Sequence, residues 1–358
     1  MDDKLITLFG ACAEAVICEK DGRVTFLNTA AKRHFPASAP GDALTSVFPD
    51  ELSEAPGPCA FSADIGGELC VSVCPLGEDG RAFVFPLPDA ERSELEAFCA
   101  QLGRSLRENA SVLLMAGDAL APQIEELGDP RLDAYTAMLW HNVYSVLHTA
   151  SDVSFFGSAG GEAPAEPRQV FDIVRLCAEL TDSVSRLAGG GLARVTFKSA
   201  VGEASVEGVP ALLEEALLHL LSNSLKYTPA DGAVAVSVVR RGGRVSVTVA
   251  DTGCGIPDDV LGSVFRRYGS AHPLSDTKSG LGLGLTVVRH IAVRHGGSLM
   301  LSNGKNGGAV AVLTLPEAKK ASRLNAESVA YGSSDLRPLL TFLSDVLPTE
   351  RYTAKYLD

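Results

Sequence analysis

Two runs in the last third of the chain, AVAVSVVRR at 233–241 and RVSVTVAD at 244–251, alternate apolar and polar residues. Successive strand side chains point to opposite faces, so each run buries one face and leaves the other polar. Gly242-Gly243 between them supplies the positive φ angles of a tight hairpin. The second run ends in an acid and a glycine-rich turn, Asp251-Thr252-Gly253-Cys254-Gly255. Around this hairpin the pattern predicts a helix over 168–188, a strand near 194–199 and a helix over 209–227. A further helix over 284–295 and the strands SLMLSN and AVAVLTLP follow. Helices and strands in this order predict an α/β sandwich.

Four segments within that region carry candidate chemistry. Asn223 lies in Leu-Leu-Ser-Asn-Ser-Leu-Lys-Tyr-Thr-Pro (220–229) on the helix over 209–227. Its amide oxygen is a neutral, hard ligand suited to a Mg2+ ion that keeps most of its water. Lys226 and Tyr227 follow at i+3 and i+4, on the same face, within reach of a phosphate or ribose. Asp251 at a strand end is placed to accept an exocyclic amino group of adenine, where guanine presents a carbonyl. Gly253 and Gly255 let the backbone pass close to a ring. Val264-Phe265-Arg266-Arg267-Tyr268 precedes a small, polar stretch, 269–279, read as a lid. Gly280, Gly282 and Gly284 alternate with leucines, Leu285 among them, and open a helix whose N–H groups suit an anion. No Lys-Ser/Thr follows, so this is not a Walker A loop, and the βαβ setting of a dinucleotide fingerprint is missing.

In this order the segments resemble the N, G1, F and G2 boxes of the ATPase superfamily that includes histidine kinases, gyrase and Hsp90-type chaperones. The resemblance implies ATP as ligand and Mg2+ as cofactor. In the family the N box usually carries another Asn four residues before Asn223; here His219 stands there.

Residues 1–88 read as short strands and turns, with one hairpin at Asp21-Gly22 and another with Gly77 to Gly80 in its turn. The stretch between them, rich in Pro, Ala and Ser, reads as helix at best in short pieces. The Asp21-Gly22 hairpin and the following Phe26-Leu27-Asn28-Thr29-Ala30-Ala31 resemble a PAS sensory domain; the other reading is a generic small α+β domain. From Asp89 the period becomes helical. Leu95, Phe98, Leu102, Leu106, Leu113, Leu120 and Ile124 form one stripe. Gly128-Asp129-Pro130 breaks it, and Leu132, Tyr135, Met138, Leu139, Val146, Leu147 and Val153 form a second. An antiparallel hairpin cannot bury both stripes alone. Either a homodimer covers them in a four-helix bundle, or they pack on neighbouring parts of one chain.

The predicted organisation is therefore multidomain α+β. A PAS-like α/β domain spans 1–88, a helical dimerisation hairpin 89–157 and a linker 158–167. An α/β sandwich ATP-binding domain spans 168–316, and an extension with a short helix spans 317–358. This arrangement resembles a bacterial sensor histidine kinase, which implies ATP-dependent phosphotransfer in a two-component pathway with a response regulator as partner. One element departs from that family. The helix over 91–126 holds no histidine, and Arg104 stands where the phosphoacceptor belongs; a guanidinium stays protonated and is no nucleophile. His141 and His148, seven residues apart on the second helix, are the remaining candidate acceptors. The other reading is a nucleotide-sensing pseudokinase dimer that signals by conformation.

Net charge and hydropathy narrow the partners. A net charge of −13 disfavours nucleic acid and anionic lipid. No apolar run reaches 18 residues and the N-terminus opens on two acids, so neither a membrane span nor a signal peptide is expected. That predicts a cytoplasmic chain whose eight cysteines are small buried thiols, a metal or redox cluster among the first five being the alternative.

Overall fold

The computed structural model describes Phe9 and residues 14–48, 50–53, 58–64, 68–76, 80–85, 92–158, 167–261, 282–318 and 336–353. Its first part is an antiparallel sheet of β1 (Ala15–Lys20), β2 (Arg23–Leu27), β3 (Cys59–Asp64), β4 (Glu68–Leu76) and β5 (Gly80–Phe85), in the order β2-β1-β5-β4-β3. Asp21 and Gly22, at φ 53° and 75°, make the predicted tight turn. Asn28 caps α1 (Thr29–His34). Its Oδ1 accepts from Ala31 N at 2.8 Å and Val16 N at 3.0 Å, which ties the helix start to β1. Leu27, Leu44, Leu52, Phe48, Phe83 and Phe85 fill the space beneath.

The stretch read as short helical pieces holds α1 and the short turns Leu44–Ser46 and Asp50–Ser53, and it also contains β3. Its sequence, CAFSAD, has little intrinsic strand preference, but both its edges are paired, and tertiary pairing outweighs propensity.

Next come α2 (Arg92–Leu127) and α3 (Pro130–Ser158), reversed at Gly128. A Cβ on Gly103 would strike Ser154, and one on Gly117 would strike the Trp140 ring, so the helices run antiparallel in close contact. Ala110, Ala137, Trp140, Val143, Tyr144 and Ala150 are buried. Much of the two apolar stripes is not, although Val153 is buried and Leu147 packs on the core. Phe98, Leu113, Met115, Leu120, Tyr135 and Met138 are each more than half exposed, at 62%, 52%, 72%, 56%, 67% and 54%.

The third part is a mixed sheet of β7 (Arg194–Ser199), β9 (Ala233–Arg241), β10 (Arg244–Asp251), β11 (Ser298–Asn303) and β12 (Ala309–Pro316), ordered β11-β12-β10-β9-β7. The helices α4 (Ile173–Ala188), α5 (Pro210–Tyr227) and α6 (Gly284–Arg294) pack on it. Val234, Val236 and Val238 of β9 and Val245, Val247 and Val249 of β10 are buried, as period two requires. Gly242 and Gly243, at φ 60° and 76°, close the hairpin. The helix predicted from 168 begins only at Ile173. Gln169–Asp172 form β6 against β8 (Ser205–Gly208), and the Asp172 carboxylate caps α4 by accepting from Val174 N at 3.0 Å.

Contacts at several places join these parts. β3 pairs antiparallel with β11, from Ser298 opposite Ala63 to Ser302 opposite Cys59, so one ten-stranded sheet runs through both sheet units. The C-terminal α7 (Arg337–Phe342) and the turn Thr349–Tyr352 seat against α3 and α5, burying Leu339, Leu340, Phe342, Leu343, Leu347 and Tyr352. The helix expected in the extension is present.

Candidate nucleotide site

Asp251 ends β10 at the central hairpin, 9% exposed. Its Oδ1 accepts from Gly253 N at 2.9 Å and Ala309 N at 3.0 Å. Among the described residues nothing hydrogen-bonds Oδ2. That oxygen fits an incoming amino group, and the two N–H bonds fix the carboxylate plane in advance. Gly253 admits no side chain, because a Cβ there would overlap the Tyr227 carbonyl oxygen of α5. Gly255 holds φ 73°, and Asn303 clamps the loop beyond it. Asn303 Oδ1 accepts from Ile256 N and its Nδ2 donates to Ile256 O, both at 2.7 Å. Thr252 Oγ1 accepts from Ala233 N at 2.9 Å. Asn303 and Thr252 were not legible as site residues in the sequence, since each acts through a pairing set by the sheet.

Asn223, partly exposed, lies on α5 with Lys226 and Tyr227. Tyr227 is 47% exposed. Lys226 turns to the C-terminal segment, its Nζ 3.5 Å from Asp345 Oδ2. Gly282 holds φ 68°, Gly284 opens α6, and Leu285 packs on the core. Leu283 between them rests with Val153 of α3. Gly280, the 264–268 segment and the lid over 269–279 lie outside the described residues. The groups present suit ATP with Mg2+: a buried carboxylate at a strand end, the close backbone approach that Gly253 allows, and an amide oxygen on α5.

His219 does not join this set. It is 3% exposed and turned across α5 toward α3, with Nε2 3.3 Å from Asp152 Oδ1 and its other face against Gly284. His148 stacks beside it with ring centroids 5.4 Å apart, and Phe342 lies edge-on to both. Burial holds both imidazoles below their usual range. Burial first, then the Glu215 and Asp345 carboxylates, push Asp152 well above the usual carboxylate range. Burial thus disfavours the charged form of both groups across the 3.3 Å approach. His141 donates through Nε2 to Ser344 O at 2.9 Å and packs on Tyr352. The C-terminal segment thus covers both candidate acceptors, while Arg104 on α2 is exposed.

The cysteines at 18, 59, 70, 74, 99, 177 and 254 form no disulfide. Burial pushes Cys18 to about 11 and Cys59 to about 12, which leaves both as inert thiols. No helix among the described residues is long and apolar enough to cross a membrane.

Residues 208–319 match the profile of the histidine kinase-, DNA gyrase B- and HSP90-like ATPases. The sensor-like histidine kinase SenX3 of Mycolicibacterium smegmatis is 32% identical over 253 residues, covering 68% of this chain and 64% of that protein. An uncharacterized sensor-like histidine kinase of Rhizobium meliloti (strain 1021) is 29% identical over 226 residues, 61% of this chain and 42% of that protein. The chain thus spans less than two thirds of the length of these relatives. Full-length ShkA, solved in complex with AMPPNP, is similar in fold at TM-score 0.51 and 22% identity, covering 63% of this chain and 46% of that one. Residues 208–319 are therefore an ATP-binding domain of the histidine kinase, gyrase and HSP90 type, and the chain that carries them is a relative of the bacterial sensor histidine kinases.

Proposed function

We propose that this chain binds ATP with Mg2+ through Asp251, Gly253, Gly255, Asn223, Lys226, Tyr227, Gly280, Gly282, Gly284 and Leu285. We further propose that it serves as the histidine kinase of a cytoplasmic two-component pathway, passing phosphate to a response regulator. The observation that carries this reading is the Asp251 carboxylate, oriented by two backbone N–H groups, beside Gly253, a position that admits no side chain. When bound, Mg2+ neutralises charge on the phosphates, and Asn223 would be its protein ligand.

On this reading 1–88 is a PAS-like sensory domain, 89–157 the dimerisation hairpin, 158–167 a linker, 168–316 the catalytic domain and 317–358 an extension. The exposed apolar side chains of α2 and α3 support a homodimer through a four-helix bundle, because a stripe this apolar is normally covered. The continuous sheet offers a route from sensor to nucleotide. β3 pairs with β11, and β11 ends at Asn303, which clamps the loop after Asp251.

A second reading, a nucleotide-sensing dimer without autokinase activity, is favoured by one observation. Arg104 occupies the acceptor place, and both histidines of α3 lie under the C-terminal segment. Incubating the full chain with γ-labelled ATP, followed by mass spectrometry at neutral pH, separates the two. Label lost in His141→Ala or His148→Ala establishes the kinase with a relocated acceptor. ATP binding without label establishes the pseudokinase. No nucleotide binding at all overturns both.

A further inference from the structure

Three buried polar atoms from two helices point at one another where the hairpin meets the nucleotide domain. They are His148 Nε2 and Asp152 Oδ1 of α3 and His219 Nε2 of α5, and all lie within 4.8 Å of one another. His148 and Asp152 are four residues apart and so share a face of α3. Asp152 Oδ1 lies 3.9 Å from His148 Nε2 and 3.3 Å from His219 Nε2, yet none of the three atoms makes a hydrogen bond. The residues are secluded: His219 is 3% and Asp152 8% exposed, and the His148 side chain 12%. Glu215, one turn before His219 on α5, brings Oε1 to 4.0 Å from His219 Nε2. A buried polar atom left unpaired is destabilising, and three together call for a common partner.

We propose that His148, Asp152 and His219 bind one transition-metal dication of the zinc type, which clamps the nucleotide domain to the helical hairpin. Two imidazoles and a carboxylate are the ligand set of such an ion. Mg2+ and Ca2+ prefer oxygen alone. Ligands around tetrahedral zinc, at about 2.0–2.1 Å from the ion, stand about 3.4 Å apart. The observed separations need side-chain movements of only about an ångström to reach that geometry. Glu215 or a water molecule completes the four. Phe342 of the C-terminal segment roofs the site, with ring centroids 5.3 Å from His148 and 5.0 Å from His219. The opposite face of His219 meets Gly284, so the clamp abuts the glycine loop of the nucleotide site. The assignment does not depend on ATP binding or on kinase activity.

The test uses the full chain, loaded with Zn2+, dialysed, and assayed for metal content and thermal melting. The expected result is one equivalent of zinc per chain and a raised melting temperature. Co2+ in its place should show the intense visible bands of a tetrahedral nitrogen–oxygen site. His219→Asn and the double variant His148→Asn, His219→Asn should lose the equivalent and the zinc-dependent rise. Both should keep the metal-free melting temperature and circular dichroism, which shows that they fold. Zinc content of the wild type no greater than that of the double variant overturns the proposal, since any metal then sits elsewhere. So does a full equivalent without Co2+ bands that change in His219→Asn.

Discussion

Replacing Asp251 by Asn tests the nucleotide site at its most constrained atom. Asp251 Oδ1 is held by Gly253 N at 2.9 Å and Ala309 N at 3.0 Å. Both donors are backbone groups, so the Asn side chain must keep its carbonyl oxygen in that place. Its NH2 then occupies the former position of Oδ2 and presents a donor to the adenine amino group, also a donor. A charge-assisted hydrogen bond of about 1.5–3 kcal/mol is lost, which weakens ATP binding roughly ten- to a hundredfold. The two N–H bonds also fall from charged to neutral strength, about 1 kcal/mol each, so the melting temperature of the apo protein drops modestly. Isothermal titration with ATP and GTP, paired with apo melting curves, separates the two effects. The wild type should prefer ATP, and the variant should lose that preference. Unchanged ATP affinity in a variant of lowered stability would refute the reasoning, because Asp251 would then only brace the loop. Equal wild-type affinity for ATP and GTP would refute it as well.

Gly253→Ala drives a methyl into the Tyr227 carbonyl oxygen and should cost about 1–3 kcal/mol while shifting the loop. ATP affinity falls with helix content unchanged, read by calorimetry and circular dichroism. His295 Nε2 accepts from Val209 N at 3.0 Å and its Nδ1 donates to Ile291 O at 2.7 Å, so burial holds a neutral ring with a lowered pKa. The unfolded chain then binds the extra proton first. This contribution is whole above the unfolded value near 6.5 and declines as pH falls toward the lower folded value. Denaturant unfolding across pH 5 to 8 should show a flatter profile in His295→Gln than in wild type. Light scattering at micromolar concentration should give a dimer that Leu113→Glu with Met115→Glu dissociates, since both side chains are exposed on α2. A wild-type monomer of full helicity would end that reading.

The sequence by itself determined the elements whose signals are local. The valine alternation of β9 and β10 and the paired glycines between them fix a hairpin by pleat and φ alone. The Asp251 turn and the Gly284 helix start are likewise short-range. The helical period of the leucines specifies two helices, and their polar surroundings make the apolar stripes visible in the sequence alone. Only the tertiary structure decided what depends on pairing across the chain. CAFSAD is a strand because β4 and β11 hold both of its edges, and no residue within it says so. His219 read as a substituted site residue, but its Nε2 turns to Asp152 of α3, 67 residues (219 − 152) earlier in the chain, while its Nδ1 edge meets Gly284. The C-terminal helix was legible in the sequence, yet its seat over His141, His148 and Lys226 was not. An apolar face states that it will be covered, and only the assembled neighbours state by what.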